Sequence, residues 1–134
     1  MDEILFRGKS IDSNTWVYGF YCRYGHVKQE KSYIIPEYTN TLCVVEIVRE
    51  TLGQYIGLTD RYDVKIFEGD IVNILTENGE IGIVKYDEGG FGVEADGFAI
   101  DFRQNIDGAE VEVIGNIYND PELIKIKGDA YDII

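Results

Sequence analysis

Two carboxylates on one short turn are the residues of this chain whose chemistry is easiest to state. Glu68 and Asp70 flank Gly69 between two apolar runs. Carboxylates placed in this way can hold a hard cation such as Mg²⁺ or Ca²⁺, with Asp87 and Glu88 as further ligands, or transfer a proton. Asp and Gly are also turn formers, and an Asp here commonly accepts a bond from the backbone of its own turn. The sequence favours the turn, and Glu68 and Asp70 stay candidates for a metal-dependent enzyme.

The remaining groups that carry chemistry are sparse. Cys22 and Cys43 lie in strand-like apolar stretches without C-x-x-C spacing, and His26 is the single histidine. A zinc site needs about four nitrogen or sulfur ligands, so we expect buried free thiols, no zinc site and no cofactor. Residues 89–92 (GGFG) lack the lysine and the helix start of a phosphate-binding loop, and they are typical of a turn.

An aromatic stretch, residues 16–24 (WVYGFYCRY), alternates with a period of two, which predicts a β-strand. One face of that strand carries Trp16, Tyr18, Phe20, Cys22 and Tyr24. The tyrosine-rich surface around Trp16, Tyr18, Tyr21 and Tyr24 is either part of a core or a binding surface. The sequence favours the core, because aromatic stripes on strands are more often buried.

Short apolar runs and tight turns place these residues in a mainly β fold. Five short strands between residues 71 and 118, with an Asn-Gly hairpin signal at residues 78–79 and a bulge at Gly115, predict a small SH3-like barrel. The sequence predicts one domain over 1–134, made of an N-terminal β subdomain (1–65), the barrel (66–122) and a tail (123–134). It predicts little helix, with one helical turn at residues 49–54 capped by Thr51.

The tail is the candidate surface for assembly. Its apolar residues include Ile126, Tyr131, Ile133 and Ile134. An apolar chain end usually docks somewhere, either on its own barrel or as an added strand on a neighbouring subunit. The sequence leaves both arrangements open, and the second predicts a homo-oligomer.

Charge is distributed unevenly along the chain. The formal net charge is −13, and residues 66–124 hold fourteen acids against two bases, whereas residues 1–65 hold nine acids and eight bases. Phosphate backbones repel such a surface, so we expect no direct nucleic-acid binding. The acids either keep the protein in solution or attract a protein with a basic surface, as an inhibitor that imitates nucleic acid would.

The first residues show no basic segment followed by an apolar one, and no apolar run approaches the roughly 20 residues that span a bilayer. We therefore expect a cytoplasmic protein with no membrane partner.

Four segments together resemble the YopX family of phage and prophage proteins. Residues 50–60 (ETLGQYIGLTD) are similar to the family's ETVGQYTGLxD, and residues 65–72 (KIFEGDIV) to its KIYEGDIV. Residues 82–87 (GIVKYD) are similar to its GxVxYD, and residues 113–123 (VIGNIYNDPEL) to its VIGNIYxNPEL. Their order and spacing match over nearly the whole chain.

The resemblance implies a β-rich fold, a phage or prophage origin and a bacterial cytoplasm. It brings no catalytic residues, because the family has no established ones. We therefore expect a non-enzymatic module that binds protein, including a second copy of itself. The alternatives are an acidic inhibitor of a basic host protein and a metal-dependent enzyme that uses Glu68 and Asp70.

Overall fold

A computed structural model describes residues 4–25, 30–37, 43–75, 79–87, 89–95, 98–102, 110–127 and 130–133; of 98, 125–127 and 130–133 it describes the backbone. These residues form β-strands joined by turns and one short 3-10 turn, which confirms the predicted mainly β fold. No helix in this part of the chain is long and apolar enough to cross a bilayer. The chain divides into two compact units, Met1–Tyr55 and Ile56–Ile134, whereas the sequence predicts a division after residue 65.

The first unit is an antiparallel sheet whose pairings close on themselves. Its strands follow the order β1-β2-β3-β4, and β1 also pairs with β4. Their bounds are β1 Phe6–Ser10, β2 Trp16–Tyr24, β3 Lys31–Pro36 and β4 Val45–Thr59. Small β-branched side chains, Val17, Ile34 and Ile47, form the core because alternate positions of each strand face inward. Strand β4 runs across the division, so its last residues belong to the second unit.

A bulge in β4 replaces the helical turn that the sequence predicts at residues 49–54. The register of β1 against β4 shifts between Arg7 and Lys9, and the intervening residues of β4 stay in the strand. The buried Thr51 Oγ1 donates to the carbonyl of Val48 at 2.6 Å and accepts from the N–H of Lys9 at 2.9 Å. Thr51 therefore fixes the bulge instead of capping a helix, and the predicted helical turn is wrong.

The second unit contains the five strands that the sequence predicts between residues 71 and 118. They form one antiparallel sheet in the order β10-β6-β7-β8-β9, and β5 lies beside β4. That this five-stranded sheet closes into an SH3-like barrel stays a prediction. The bounds are β5 Lys65–Phe67, β6 Asp70–Ile74, β7 Ile81–Asp87, β8 Gly90–Ala95, β9 Phe98–Asp101 and β10 Val111–Asn116. The core of this unit consists of Ile56, Ile66, Val72, Ile74, Val84, Val93, Phe102 and Val111.

Two glycines behave as the sequence predicts. Gly79, between β6 and β7, has φ of 58°, a left-handed conformation that glycine adopts without strain. At Gly115 the register of β10 against β6 shifts, which confirms the predicted bulge. A Cβ at Gly115 would lie 2.5 Å from Oδ2 of Asp120, so the close approach itself requires glycine.

The tail forms a hairpin with itself. After a 3-10 turn at Pro121–Leu123, strands β11 (Ile124–Lys127) and β12 (Ala130–Ile133) pair in antiparallel fashion. The register sets Ile124 opposite Ile133. A two-stranded hairpin is only marginally stable alone. The docking of this hairpin, on the same chain or on a neighbour, stays a prediction.

Candidate functional site

The outward face of β2 carries Trp16, Tyr18 and Tyr24, three of the four aromatic residues around which the sequence predicts a core surface. The fourth, Tyr21, lies on the inward face, where the register sets it opposite the buried Ile34. Val17 and Gly19 are the buried residues of this strand, whereas Phe20 is 58% exposed and Tyr24 is 79% exposed. The alternation is thus confirmed, but the assignment to the core is wrong at the exposed end of the stripe. The inward face of β2 carries the core residue Val17 and Gly19, where a Cβ would overlap the backbone of Ile35, so Phe20 and Tyr24 lie on the other face.

Strand β3 extends this surface. The register sets Phe20 opposite Ile35 and Cys22 opposite Tyr33, so these residues share one face. Ile35 is 37% exposed, and Tyr33 is half-buried. We define the aromatic face as Trp16, Tyr18, Phe20, Cys22, Tyr24, Tyr33 and Ile35. Adjacent exposed apolar side chains of this kind mark interaction surfaces more often than isolated ones do.

One end of the aromatic face is closed by cations from β1. The guanidinium carbon of Arg7 lies 4.6 Å from the ring centroid of Trp16, and Nζ of Lys9 lies 5.5 Å from it. Lys9 is the direct register partner of Trp16. Both cations interact favourably with the indole face and cover it, so Trp16 is half-buried. The apolar end around Phe20 is therefore the part of the face that is open to a partner.

Two ion pairs lie at this end of β2 and β3. Lys31 and Glu46 are on the aromatic face, because the register sets Lys31 opposite Tyr24 and Glu46 opposite Tyr33. Arg23 Nη1 lies 3.1 Å from Oε1 of Glu30, and Lys31 Nζ lies 3.8 Å from Oε1 of Glu46. The side chains of both cations are more than half exposed, so each pair contributes about 0–1 kcal/mol to stability. Their mixed signs matter more for recognition, because such a rim can match a partner of mixed charge, including a copy of itself.

The second unit has a separate concave surface. An open groove with a volume of about 660 Å³ lies at the β7–β8 hairpin and β9. It is lined by Ile56, Leu58, residues 85–87 and 89–94, Ala99, Asp101 and Phe102. The sequence assigns residues 89–92 only to a turn. The structure confirms that Gly89 has positive φ, 83°, and it also places these glycines in the groove.

Glu68 and Asp70 lie at the turn between β5 and β6, as predicted. Asp70 is buried, and its Oδ2 accepts a bond from the N–H of Phe67 at 2.7 Å. This is the side-chain-to-backbone bond that the turn interpretation expects, with Gly69 at φ of 94°. Among the described residues, no three Asp, Glu, His or Cys side chains come together in an arrangement that could hold a metal. A cation site at Glu68 and Asp70 stays a prediction.

Asp60 has a structural role that the polar sequence of its turn, residues 60–63, does not predict. Asp60 is 5% exposed, and its Oδ1 accepts from the N–H groups of Tyr62 at 2.8 Å and Val64 at 2.9 Å. Its Oδ2 accepts from the N–H of Val113, on β10, at 2.9 Å. An Asp that starts a turn is the sequence signal for the first two bonds. The third joins residues far apart in the chain and has no local signal.

The other predicted residues are distributed over the molecule. Cys22 and Cys43 are free thiols, half-buried instead of fully buried. His26 and Ile134 lie outside the described residues. The other tail residues proposed for assembly lie on β11 and β12: Ile126, Tyr131 and Ile133. Within the described ranges, the cysteine and carboxylate groups form no metal-binding cluster, and the aromatic face and the groove are the candidate binding surfaces.

The comparisons agree with this fold. The family model described as YopX protein matches residues 5–125. The chain is similar in structure to protein EF1440 from Enterococcus faecalis, whose crystal structure matches with a TM-score of 0.52 and 19% sequence identity. That match covers 92% of this chain and 99% of the other, and at this identity it shows the fold alone. No curated protein matches the chain.

Proposed function

The chain belongs to the YopX family, and on that premise we propose that it is a non-enzymatic β module that binds protein through the aromatic face. One observation carries the proposal: Phe20 and Ile35 are register partners on neighbouring strands, and both are exposed. A full burial of each such side chain stabilises a complex by about 1.5–3 kcal/mol. From the family resemblance we further infer a phage or prophage origin and a bacterial cytoplasm.

A second copy of the chain is the partner that we expect first. The rim of the aromatic face carries both signs of charge, with Lys31 next to Glu46. A two-fold axis sets each patch against itself, and a rim of mixed sign can then pair acid with base. The acidic residues 66–124 would repel one another in the same arrangement. Association through the first unit is therefore favoured over association through the second.

Sedimentation of the full chain over a wide range of protein concentration tests the proposal. Wild type should self-associate, and Phe20→Asp should remain monomeric, because an unpaired carboxylate would be buried in the apolar contact. The control is Tyr62→Asp, which places the same charge at an aromatic side chain that is 63% exposed and outside the aromatic face. Equal behaviour of Phe20→Asp and Tyr62→Asp, or a monomeric wild type at every concentration, would contradict self-association through this face.

The enzyme alternative has less support. It depends on Glu68 and Asp70, and Oδ2 of Asp70 accepts the backbone bond of its own turn. A calorimetric titration of the full chain with Mg²⁺ and then Ca²⁺ tests it. Heat that disappears in Asp70→Asn would favour a metal site over the turn interpretation.

A further inference from the structure

We propose that the outer edge of β9 accepts an extended segment of a basic partner protein as an added β-strand. Apolar and basic residues alternate in that segment, so that its apolar side chains enter the groove and its basic side chains lie beside Asp101. This inference goes beyond the proposed function, because β9 and the groove lie in the second unit and share no residue with the aromatic face.

The two edges of the second unit's sheet differ in what covers them. The strand order places β10 at one edge and β9 at the other. The turn after β4 covers the β10 edge: the N–H of Arg61 donates to the carbonyl of Val111 at 3.0 Å. Asp60 covers it further, because its Oδ2 accepts from the N–H of Val113 at 2.9 Å. Among the described strands, none pairs with the outer side of β9. An edge of this kind is a template for one more strand.

The backbone groups available at the β9 edge follow from the register. The N–H of Phe102 donates to the carbonyl of Phe91 at 3.1 Å, so the backbone of Phe102 is directed toward β8. Backbone direction alternates along an antiparallel strand, and Ile100 is therefore directed toward β8 as well. Ala99 and Asp101 direct their N–H and C=O groups away from β8. An added strand can bond to these groups, and such main-chain bonds supply the affinity in strand addition.

The two faces of the sheet differ beside this edge, and the difference favours an alternating sequence. Ile100 lies on the core side, where the half-buried Leu58 and Phe91 also pack and line the groove. The groove volume of about 660 Å³ is within the range of about 300–1,000 Å³ that binding pockets occupy. Ala99 and Asp101 lie on the opposite face, and both are exposed. Successive side chains of a strand point to opposite faces, so an added strand meets an apolar and a polar surface in turn.

The charge beside β9 favours basic residues at the polar positions. Asp101 forms no ion pair with any residue in the described ranges, whereas Glu94, on the same face, lies 3.1 Å from Nζ of Lys85. The small side chain of Ala99 leaves room beside Asp101 for a long basic one. Residues 66–124 hold fourteen acids against two bases, which adds to the attraction. A second copy would bring the same acids to this edge, and nucleic acid would bring phosphates, so both fit worse.

Amide hydrogen exchange of the full ¹⁵N-labelled chain, with and without a short capped peptide of alternating valine and lysine, tests the proposal. At a peptide concentration about ten times its Kd, the amides of Ala99 and Asp101 should exchange about tenfold more slowly. The amide of Ile100, which is directed toward β8, should change less. One matched peptide has the same composition with its valines and lysines in separate blocks, and another carries glutamate in place of lysine. Neither should slow these amides.

Variants separate strand addition from bulk charge. Ala99→Pro removes an N–H on the solvent side of an edge strand, where proline is tolerated, and should abolish binding. Asp101→Asn should weaken binding of the lysine peptide about two- to five-fold, as loss of one exposed charge pair does. The control, Asp63→Asn, removes an exposed carboxylate outside the groove, and asparagine tolerates its positive φ of 66°.

Three results would overturn the proposal. The first is equal weakening by Asp63→Asn and Asp101→Asn, and the second is equal binding of the block peptide. The third is slow exchange of the amides of Ala99 and Asp101 in the chain alone, because another part of the chain or a second copy would then already cover the edge. Circular dichroism checks the fold of Ala99→Pro, and the other comparisons decide the question if that variant unfolds.

Discussion

Asp60 allows the contribution of one buried carboxylate to be separated bond by bond. In Asp60→Asn the amide oxygen can still accept from Tyr62 and Val64, while its NH₂ group faces the N–H of Val113, a second donor. The variant loses one charge-assisted bond and leaves a donor on β10 unsatisfied, which costs about 1.5–3 kcal/mol. In Asp60→Ala the two remaining bonds are lost as well. Tyr62 and Val64 are exposed, so water replaces much of their loss, and the total should reach about 3–5 kcal/mol.

Urea denaturation followed by far-UV circular dichroism measures both variants, and amide hydrogen exchange locates the effect. The amide of Val113 should exchange at least about tenfold faster in Asp60→Asn than in wild type, since 1.4 kcal/mol corresponds to a factor of about ten. The exposed neighbour Asp63→Asn serves as the control and should change stability by less than about 0.5 kcal/mol. Equal destabilisation by Asp60→Asn and Asp60→Ala would refute the division among three bonds. A neutral Asp60→Asn would refute the bond to Val113.

Three further substitutions test how much the two bulges and one surface ion pair contribute to stability. Thr51→Val keeps the shape but removes two bonds at the β4 bulge; we expect a loss of about 1–3 kcal/mol, measured by fluorescence of Trp16, the only tryptophan. Unchanged stability would show that the bulge does not depend on the hydroxyl. Gly115→Ala should cost about 1–3 kcal/mol in urea denaturation, because its Cβ displaces Asp120. Glu94→Gln should lower the free energy of unfolding by less than about 1 kcal/mol, because its ion pair with Lys85 is exposed to solvent; a larger loss would contradict that exposure.

Local patterns predict the elements of this chain well, because they depend on neighbouring residues. The alternation in β2, the turn at Gly79 and the bulge at Gly115 each follow from a few adjacent side chains. The same patterns do not tell which face of a strand is buried. For β2 the buried face is the one on which Val17 meets Ile34 of β3 and Ile47 of β4, and alternation within β2 alone cannot show these contacts.

The candidate surfaces were harder to predict because they combine distant residues. The bond from the N–H of Val113, on β10, to Asp60, in the turn after β4, joins residues that are 53 positions apart in the sequence. The groove likewise needs the glycines of β8 beside Asp101 of β9, and residues 89–92 alone indicate only a turn. Thr51 shows the opposite error: a local capping signal was present, but a tertiary bond to the N–H of Lys9 uses the same hydroxyl in a strand.

Strand β4 has a consequence for how such a protein can be divided or recombined. The chain passes from one compact unit to the next within Val45–Thr59, and the N–H of Tyr55, the last residue of the first unit, donates to the carbonyl of Leu5 at 2.8 Å. No flexible loop separates the units at that point. A fragment that ends there would have to terminate inside a hydrogen-bonded ladder, so excised halves should fold poorly, and a chimera of two relatives would need its junction matched in register.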